Sequence, residues 1–297
     1  MSFTQQVKIE LSRLEFESDC CKRAFVYGFL LYGKSFTVRS VSCSTHYTEV
    51  MEKFQSTINE TIGVAANVSQ LKSGKYTLKI STSEERKRTI EYFDHVVNSV
   101  SLRINRGVFE DDECYGAFLR GVFLSCGSIA NPNKGYHVEF VVPYRNLCMD
   151  LLKILTDYGL KAKSIMRKYS YVVYIKGSES IEDLLTLMGA VNSSLELMGI
   201  KVQKNVKNKI NRQMNFESAN MIRSIEAGLM QVRAIEIIEK KQGLDSLSDE
   251  LKEVAVLRKE NPDMSLKQLG QSLSIPISRS GVNHRLMRLM DIAEKYK

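Results

Sequence analysis

The sequence has few cysteines and no long apolar run. Six cysteines in 297 residues are too sparse for a disulfide-stapled scaffold, and no two of them form a CxxC pair typical of zinc or redox chemistry. Reduced, half-buried thiols are therefore expected. Nowhere do about 18 apolar residues follow one another, and the start, MSFTQQVKIELSRLEFE, is polar and mixed in charge, so neither a membrane span nor a signal peptide is predicted. We expect a cytoplasmic protein that does not bind a membrane.

Signatures of common catalytic sites are missing as well. The sequence contains no GxSxG, Walker or GxGxxG motif. Its four histidines, His46, His95, His137 and His284, lie far apart and lack the spacing of metal ligands. The sequence predicts no cofactor. A catalytic pair such as Cys126 with His137 stays open as an alternative, although a structural histidine and a buried thiol are the commoner outcome.

The basic charge is concentrated in the last third of the chain. The whole sequence carries 42 basic and 34 acidic side chains, a net charge of +8. Residues 1–200 hold 24 basic and 22 acidic side chains, a net +2, whereas residues 201–297 hold 18 and 12, a net +6. A clustered basic excess indicates a polyanionic partner more than an evenly spread one does.

An internal repeat occupies the first 200 residues. DCCKRAFVYGFLLYGKS, from Asp19, matches DECYGAFLRGVFLSCGS, from Asp112, at seven of seventeen positions with a constant spacing of 93 residues. The similarity continues with KYTLKI from Lys75 and KYSYVVYI from Lys168, within which a two-residue insertion sets Ile80 and Ile175 95 residues apart. Two related α/β half-domains in tandem are therefore predicted.

Within each copy the hydrophobic pattern predicts helix, strand, helix, strand and helix. The first helices contain Gly28 and Gly121 in largely apolar runs. Glycine inside a helix costs about 1 kcal/mol relative to alanine, and close approach of two helix backbones is the usual compensation, so these two helices are predicted to pack together. The predicted elements are Cys20–Tyr32, Thr37–Ser42, Thr48–Glu60, Thr77–Ile80 and Glu84–Asn98 in the first copy, and Glu113–Cys126, Tyr136–Val142, Asn146–Tyr158, Tyr171–Ile175 and Ile181–Met188 in the second.

The last third has helical periodicity almost throughout. A long helix is predicted from Asn220 to a C-cap at Gly243, followed by a helix over Asp249–Glu260. Ser265 and Gln268 form a capping box for the next short helix. After the turn SIPIS, Ser278 caps a final helix whose inner face is formed by Val282, Leu286 and Leu289. This order of elements predicts a helix-turn-helix with a polar, cationic second helix, which is the arrangement that enters the major groove of DNA.

The outer face of the predicted second helix carries the candidate DNA contacts. Ser278 and Ser280, at the helix start, suit phosphates. Arg279 and Arg285 suit guanine edges, and Asn283 suits adenine. An ordinary exposed basic helix in a small bundle is the alternative. The full predicted set, in which Lys267, Gln268 and Arg288 are expected to touch backbone, is Ser265, Lys267, Gln268, Ser278, Arg279, Ser280, Asn283, His284, Arg285 and Arg288.

A second candidate surface is the segment KVQKNVKNKINRQMNF, residues 201–216, which contains five basic residues and no acidic one. Basic side chains between two domains can neutralise phosphates without reading sequence. The alternative is a solvated linker face. The predicted phosphate contacts are Lys201, Lys204, Lys207, Lys209 and Arg212.

VYGFLLYGK, from Val26, and LRGVFLSCG, from Leu119, resemble degenerate LAGLIDADG helices, the paired helices of the homing endonucleases of that name. With AFLRGVFLSCGSIANP, NRQMNFESAN and SRSGVNHRLMRL, nearly the whole chain resembles the WhiA family of bacterial regulators. The resemblance implies an α+β fold: a two-fold pseudo-symmetric, LAGLIDADG-like domain of αββαββα type, followed by an all-α helix-turn-helix domain. The expected boundaries are 1–200 (half-repeats about 19–105 and 112–200), a basic linker at 201–220, and 221–297.

The metal-binding acids of the nuclease family are replaced here. Aligned on the glycines of the motif, their positions are held by Gly33 and Cys126, and neither segment, 20–48 or 114–135, contains an acidic residue. A hard cation needs oxygen ligands, so no metal and no cleavage are expected at these positions. A metal-dependent endonuclease is the disfavoured alternative, and a platform for a protein or ligand is a third hypothesis for this domain.

The favoured prediction is a non-enzymatic protein that binds double-stranded DNA. The resemblance implies a nucleoid-associated regulator of transcription, with a role in sporulation or in cell division and chromosome segregation. A protein co-regulator is a possible further partner.

Overall fold

The structure is a computed structural model that describes residues 1–96 and 101–296. The chain divides into an N-terminal unit, Met1–Lys204, and a C-terminal unit, Asn205–Lys297. Among the described residues, no helix combines the length and the apolar character that crossing a bilayer requires.

The N-terminal unit contains two αββαββα repeats after a first helix, α1 (Phe3–Ser12). The predicted α+β class and the pseudo-symmetric repeat are confirmed. The first repeat comprises α2 (Asp19–Leu31), β1 (Ser35–Thr37), β2 (Ser40–Thr45), α3 (Thr48–Ile62), β3 (Asn67–Gln70), β4 (Tyr76–Lys79) and α4 (Ser83–Tyr92). The second follows a 3-10 turn (Arg106–Val108) and comprises α5 (Asp112–Cys126), β5 (Gly127–Ile129), β6 (Val138–Val142), α6 (Arg145–Asp157), β7 (Ala162–Arg167), β8 (Ser170–Ile175) and α7 (Ser178–Met188).

Each repeat builds one four-stranded antiparallel sheet. The strand orders are β1-β2-β4-β3 and β5-β6-β8-β7, so the two repeats share one topology. The central pairs place buried residues opposite each other, with Cys43 beside Leu78 and Phe140 beside Val173. Apolar side chains on one face of each sheet thereby join the core that also receives α2 and α5.

Helices α2 and α5 are in backbone contact, as the glycines predict. A methyl group added at Gly28 would overlap the carbonyl oxygen of Phe118, and one added at Gly121 would overlap that of Phe25. The glycines are therefore required by the packing of the two helices rather than by helix propensity.

Several predicted strands and boundaries differ from the structure. The single strand predicted over Thr37–Ser42 is a hairpin of β1 and β2, and the three-residue strand β5 was not predicted. The edge strands β3 and β7 were not predicted either. Both edge strands are largely exposed and lack a clean apolar alternation, so the pattern gives little signal. Helix α4 ends at Tyr92, before Asp94 adopts a positive φ of 55°; Asn98, where its end was predicted, lies outside the described residues.

Helix α8 (Val191–Gln242) runs from the N-terminal unit into the C-terminal unit. The predicted start at Asn220 is wrong, because no glycine or proline interrupts the chain between Gly199 and Gly228 and the basic segment therefore continues the helix. Gly243, with φ 75°, follows its end. A 3-10 turn (Leu244–Ser246), α9 (Asp249–Glu260), α10 (Leu266–Gln271) and α11 (Arg279–Glu294) complete the C-terminal unit.

Candidate nucleic-acid interface

Helix α10 begins with the predicted capping box. The Ser265 hydroxyl accepts a hydrogen bond from the Gln268 N–H at 3.3 Å, and the Gln268 side-chain oxygen accepts one from the Ser265 N–H at 3.1 Å. Leu269 is buried on the inner face of this helix, and Leu273 is buried just beyond its end. The reciprocal cap fixes where a helix of only six residues starts.

The turn between α10 and α11 is held from two sides. The Ile277 N–H donates to the Gly270 carbonyl at 3.0 Å, and a methyl group at Gly270 would lie 2.5 Å from the Ile277 carbonyl oxygen. On the other side, the Ser274 N–H donates to the Glu253 carboxylate of α9 at 2.6 Å. This hydrogen bond lowers the pKa of Glu253. The angle between α10 and α11 is therefore set by a close backbone contact and an anchored turn.

Helix α11 presents the predicted inner and outer faces. Val282, Leu286 and Leu289 are buried against the C-terminal core. At its start, the Ser278 hydroxyl accepts a hydrogen bond from the Gly281 N–H at 3.2 Å and lies 2.8 Å from the Ser280 hydroxyl. Both serines are exposed, so their hydroxyls lie beside the positive end of the helix, where anions bind.

One of the ten predicted DNA contacts differs from the rest. The side chain of Arg285 is only 19% exposed, and its Nη2 lies 3.0 Å from Glu250 Oε2 on α9. The side chain thus leans against the bundle instead of standing free on the outer face. The other nine residues are exposed: Ser265, Lys267, Gln268, Ser278, Arg279, Ser280, Asn283, His284 and Arg288.

Arg279 and Asn283 share a cleft with the start of α10 and one face of α8. Four cationic residues, Arg223, Arg258, Lys267 and Arg279, line this cleft of about 640 Å³. Sequence reasoning missed the contribution of α8, although the spacing of its residues gives one helix face. Asn220, Arg223, Ser224, Ala227 and Gln231 line the cleft from α8, and Arg258, Ser265 and Leu266 complete it with Lys267, Arg279 and Asn283.

Arg258 supports the cleft from inside. It is 3% exposed, and its Nη1 donates to the carbonyl oxygens of Pro262 at 3.1 Å and Met264 at 2.7 Å. Burial lowers the pKa of its guanidinium. The side chain therefore satisfies carbonyls in the connection between α9 and α10 and fixes the position of the Ser265 cap that follows.

The five basic residues of the predicted linker fall into two groups. Lys201 Nζ lies 3.2 Å from the carboxylate of Glu182. Lys204 donates to the Pro132 carbonyl at 2.6 Å and stands over the ring of Tyr136. These two cations are engaged within the N-terminal unit. The exposed members of the set are Lys207, Lys209 and Arg212.

At the first of the two positions where the nuclease family carries its acids, there is no room for a side chain. A methyl group at Gly33 would lie 2.9 Å from the Ser42 carbonyl oxygen and 3.1 Å from Cys43 Cβ. A carboxylate could not be placed there without moving strand β2.

The second position, Cys126, lies beside a buried cation that the sequence did not reveal. Lys8 is 6% exposed and donates from Nζ to the Leu124 carbonyl at 3.0 Å. Burial lowers the pKa of Lys8 to about 8, opposed by the charge of Cys126, and burial raises the pKa of Cys126 to about 12. His137, proposed as an alternative partner of Cys126, instead lies 3.4 Å from Glu139.

Two family models match consecutive stretches of the sequence between residues 115 and 293. The model of the WhiA LAGLIDADG-like domain matches residues 115–207, and that of the WhiA C-terminal HTH domain matches residues 210–293. A "Probable cell division protein WhiA" from Clostridium botulinum is 36% identical over all of this chain and 99% of its own length. The chain belongs to the WhiA family.

Other WhiA proteins agree in sequence and in fold. A "Probable cell division protein WhiA" from Alkaliphilus metalliredigens is 33% identical and covers 99% of this chain and 98% of its own length. The crystal structure of full-length WhiA from Thermatoga maritima, 27% identical, superposes with a TM-score of 0.62 and covers 100% of this chain and 99% of its own. The predicted family and the helix-turn-helix assignment are therefore confirmed.

Proposed function

We propose that this WhiA-family chain is a non-enzymatic protein that binds double-stranded DNA through α10 and α11 and regulates transcription. The observation that carries the proposal is the outer face of α11, where exposed Arg279, Ser280, Asn283 and His284 follow a capped helix start. Buried apolar residues fix the opposite face, so the polar face is held ready to enter a major groove.

The residues of this face divide by chemistry. Arg279 offers paired donors for the O6 and N7 atoms of guanine, and Asn283 offers a donor and an acceptor for adenine. They line one cleft, so they would address neighbouring bases. Ser278 and Ser280 would hold a phosphate at the helix start. Lys267, Gln268 and Arg288 would touch the DNA backbone, and Ser265 and His284 complete the proposed contacts.

We assign Arg285 a different role from the one first predicted. Its ion pair with Glu250 joins α11 to α9, so it would position the helix and contribute positive potential without reading a base. In the same way, Lys201 and Lys204 are engaged within the N-terminal unit. Of the five cations in 201–220, Lys207, Lys209 and Arg212 would therefore make the phosphate contacts proposed for the basic linker.

Two observations favour an N-terminal unit without nuclease activity over a metal-dependent endonuclease. Gly33 leaves no space for a carboxylate, and the Lys8 amine near Cys126 would repel a divalent cation. Incubation of supercoiled plasmid with the purified chain and Mg²⁺ tests this directly. We expect no nicking above a mock purification, and reproducible nicking that is lost on adding chelator would overturn the non-enzymatic assignment.

Fluorescence anisotropy of a labelled duplex tests DNA binding itself. The logarithm of the association constant should fall linearly with the logarithm of the salt concentration. Each phosphate contact that is removed should reduce the steepness of this line by about 1. The double variant with Lys207→Gln and Lys209→Gln should make this salt dependence less steep for every duplex sequence. Lys240→Gln with Lys241→Gln, two exposed cations at the end of the same helix, is the matched control. Absence of binding at low salt would reject the proposal.

The cellular role is proposed from the relatives. The name "Probable cell division protein WhiA" suggests that the regulated genes serve cell division. Chromosome segregation or sporulation, and action on the nucleoid in the cytoplasm, are further proposals that come from the family resemblance alone. A protein co-regulator could dock on the N-terminal unit. Mapping of bound sites across the genome, with and without Arg279→Ala, would identify the targets. Bound sites unaffected by that change would argue against α11 as the reading helix.

A further inference from the structure

Three cysteines and one aspartate meet where α2 and α5 begin. The sulfur atoms of Cys20, Cys21 and Cys114 and a carboxylate oxygen of Asp111 all lie within 4.8 Å of one another. We propose that these four side chains bind one zinc ion. This thiol cluster lies at the opposite ends of α2 and α5 from Gly33 and Cys126, so it is unrelated to the nuclease metal positions.

The internal repeat explains why the ligands converge. Cys21 and Cys114 occupy equivalent positions, 93 residues apart, in two helices that pack together through Gly28 and Gly121. Their N-cap residues, Ser18 and Asp111, are equivalent too and accept hydrogen bonds from the N–H groups of Cys21 and Cys114 respectively. Ligands too far apart in sequence to form a motif are thus brought together by the pseudo-two-fold packing.

The donor set and spacing suit zinc. Zinc in structural sites takes four ligands in a tetrahedron, with a Zn–S distance of about 2.3 Å, which corresponds to roughly 3.8 Å between sulfur atoms. Atoms already within 4.8 Å of one another need only small side-chain rotations to reach that geometry. Thiolates also favour zinc over magnesium or calcium. Four protein ligands leave no open position, so the role would be to link the two repeats.

The electrostatic surroundings favour the complex. Three thiolates, one carboxylate and Zn²⁺ sum to a net charge of −2, which the positive N-terminal ends of both helices stabilise. Arg120 lines the same pocket as Cys21, so its guanidinium adds positive charge near the cluster. Its Nε donates to the Met188 carbonyl at 2.9 Å, whereas its buried Nη1 has no hydrogen-bond partner among the described residues.

A metal ion can reach the cluster. Asp111 is exposed and Cys20 half-buried, and Cys21 lines an open pocket of about 420 Å³ together with Glu17 and Glu113. This acidic rim would attract cations to the entrance.

Binding must displace thiol protons. A cysteine thiol with an ordinary pKa of about 8.5 is mostly protonated at neutral pH. Zinc takes thiolate ligands, and three protons therefore pass to the solvent on binding, which strengthens binding as pH rises.

Titration of the chelator-treated full chain with Co²⁺ and then Zn²⁺ tests the proposal. We expect one equivalent of Co²⁺ to give the visible d–d bands and sulfur-to-metal charge-transfer band of a tetrahedral thiolate site, and one equivalent of Zn²⁺ to bleach them. Cys114→Ser should weaken zinc affinity by more than roughly tenfold. Cys126→Ser, at the far end of the same helix α5, should leave it unchanged.

Asp111→Asn provides a test that does not depend on the folding of a cysteine variant. Asparagine still caps α5 but removes the charged ligand, so zinc affinity should fall by roughly tenfold or more while circular dichroism stays the same. Absence of the thiolate bands, or equal affinity in Cys114→Ser and Cys126→Ser, would overturn the proposal. So would a disulfide among Cys20, Cys21 and Cys114 that forms as fast with zinc as without it.

Discussion

Arg285 Nη2 lies 3.0 Å from Glu250 Oε2, across the space between α11 and α9. Arg279, six residues earlier in the chain, is exposed at the start of α11 and lines the cleft that α11 forms with α8 and the start of α10. Arg279 and Arg285, two of the three arginines of α11, therefore differ in their surroundings: Arg285 holds α11 against α9, and Arg279 is free to contact a ligand.

Replacing the two arginines separately should distinguish these tasks. Arg279→Ala should cost about 1–3 kcal/mol in binding free energy at a specific site. Arg285→Ala should reduce the binding affinity less than Arg279→Ala does. It should lower the free energy of unfolding by about 0–1 kcal/mol, because Glu250 is mostly exposed and solvent partly screens the ion pair. Anisotropy titrations and urea unfolding measure both quantities. A larger loss of affinity for Arg285→Ala than for Arg279→Ala would indicate that Arg285 reads a base, as the sequence first predicted.

Gly270 should tolerate no side chain. In Gly270→Ala the new methyl group would lie 2.5 Å from the Ile277 carbonyl oxygen, and relief of that overlap should cost about 1–3 kcal/mol of stability. Gly281→Ala is the control, because its methyl group would meet only side-chain atoms of Ile277, the nearest being Cδ1 at 3.3 Å, and alanine improves helix propensity. Denaturant unfolding should show the first variant destabilised and the second unchanged or stabilised; equal stabilities would show that the turn is not held by this contact.

Arg258 should stabilise the C-terminal unit through its backbone hydrogen bonds. Arg258→Met retains much of the buried volume but leaves the carbonyl oxygens of Pro262 and Met264 without this donor, at a cost of about 1–3 kcal/mol. Arg233→Met, at an exposed position of α8, should be nearly neutral. Thermal unfolding of both variants measures the difference, and a neutral Arg258→Met would show that water replaces the guanidinium at no cost.

The buried Lys8 should make stability rise with pH. Its pKa is lowered from 10.5 to about 8 in the folded state, so above pH 8 the unfolded chain binds more protons than the folded one. The cost of burying the charge, about 3 kcal/mol, is fully present below pH 8 and disappears between pH 8 and 10.5. Lys8→Met should remove this rise.

The comparison is best made in a Cys126→Ser background, because burial raises the pKa of Cys126 to about 12, and titration of that thiol in the unfolded chain would lower stability over the same pH range. Urea unfolding from pH 7 to 10 should show the stability gap between the lysine and methionine forms narrowing as pH rises. A gap that stays constant over this range would mean that the amine is solvated or neutral throughout.

Much of the fold could be predicted because periodicity and capping are local properties. The stripe of Val282, Leu286 and Leu289 and the caps at Ser265 and Ser278 follow from spacing alone, and the two repeats follow from their identities. The edge strands β3 and β7 could not be found because their exposed residues carry no apolar alternation.

The features of the sites that were missed all depend on contacts distant in sequence. A helical wheel shows that Arg285 points away from the core, but not that Glu250 reaches it. Lys8 follows Val7 in an amphipathic helix, where a lysine is normally exposed, and its burial beside Leu124 depends on the packing of α1. The thiol cluster joins cysteines more than ninety residues apart, and it would revise the prediction that the chain binds no metal.

The most direct test of DNA reading by α11 is selection of bound duplexes from a random library, with the full chain and with Arg279→Ala plus Asn283→Ala. Met287→Ala, at an exposed position of the same helix, serves as the control. We predict that the wild type and the control select the same motif, and that the double variant still binds duplex at low salt but selects no motif. Selection of an unchanged motif by the double variant would contradict the account.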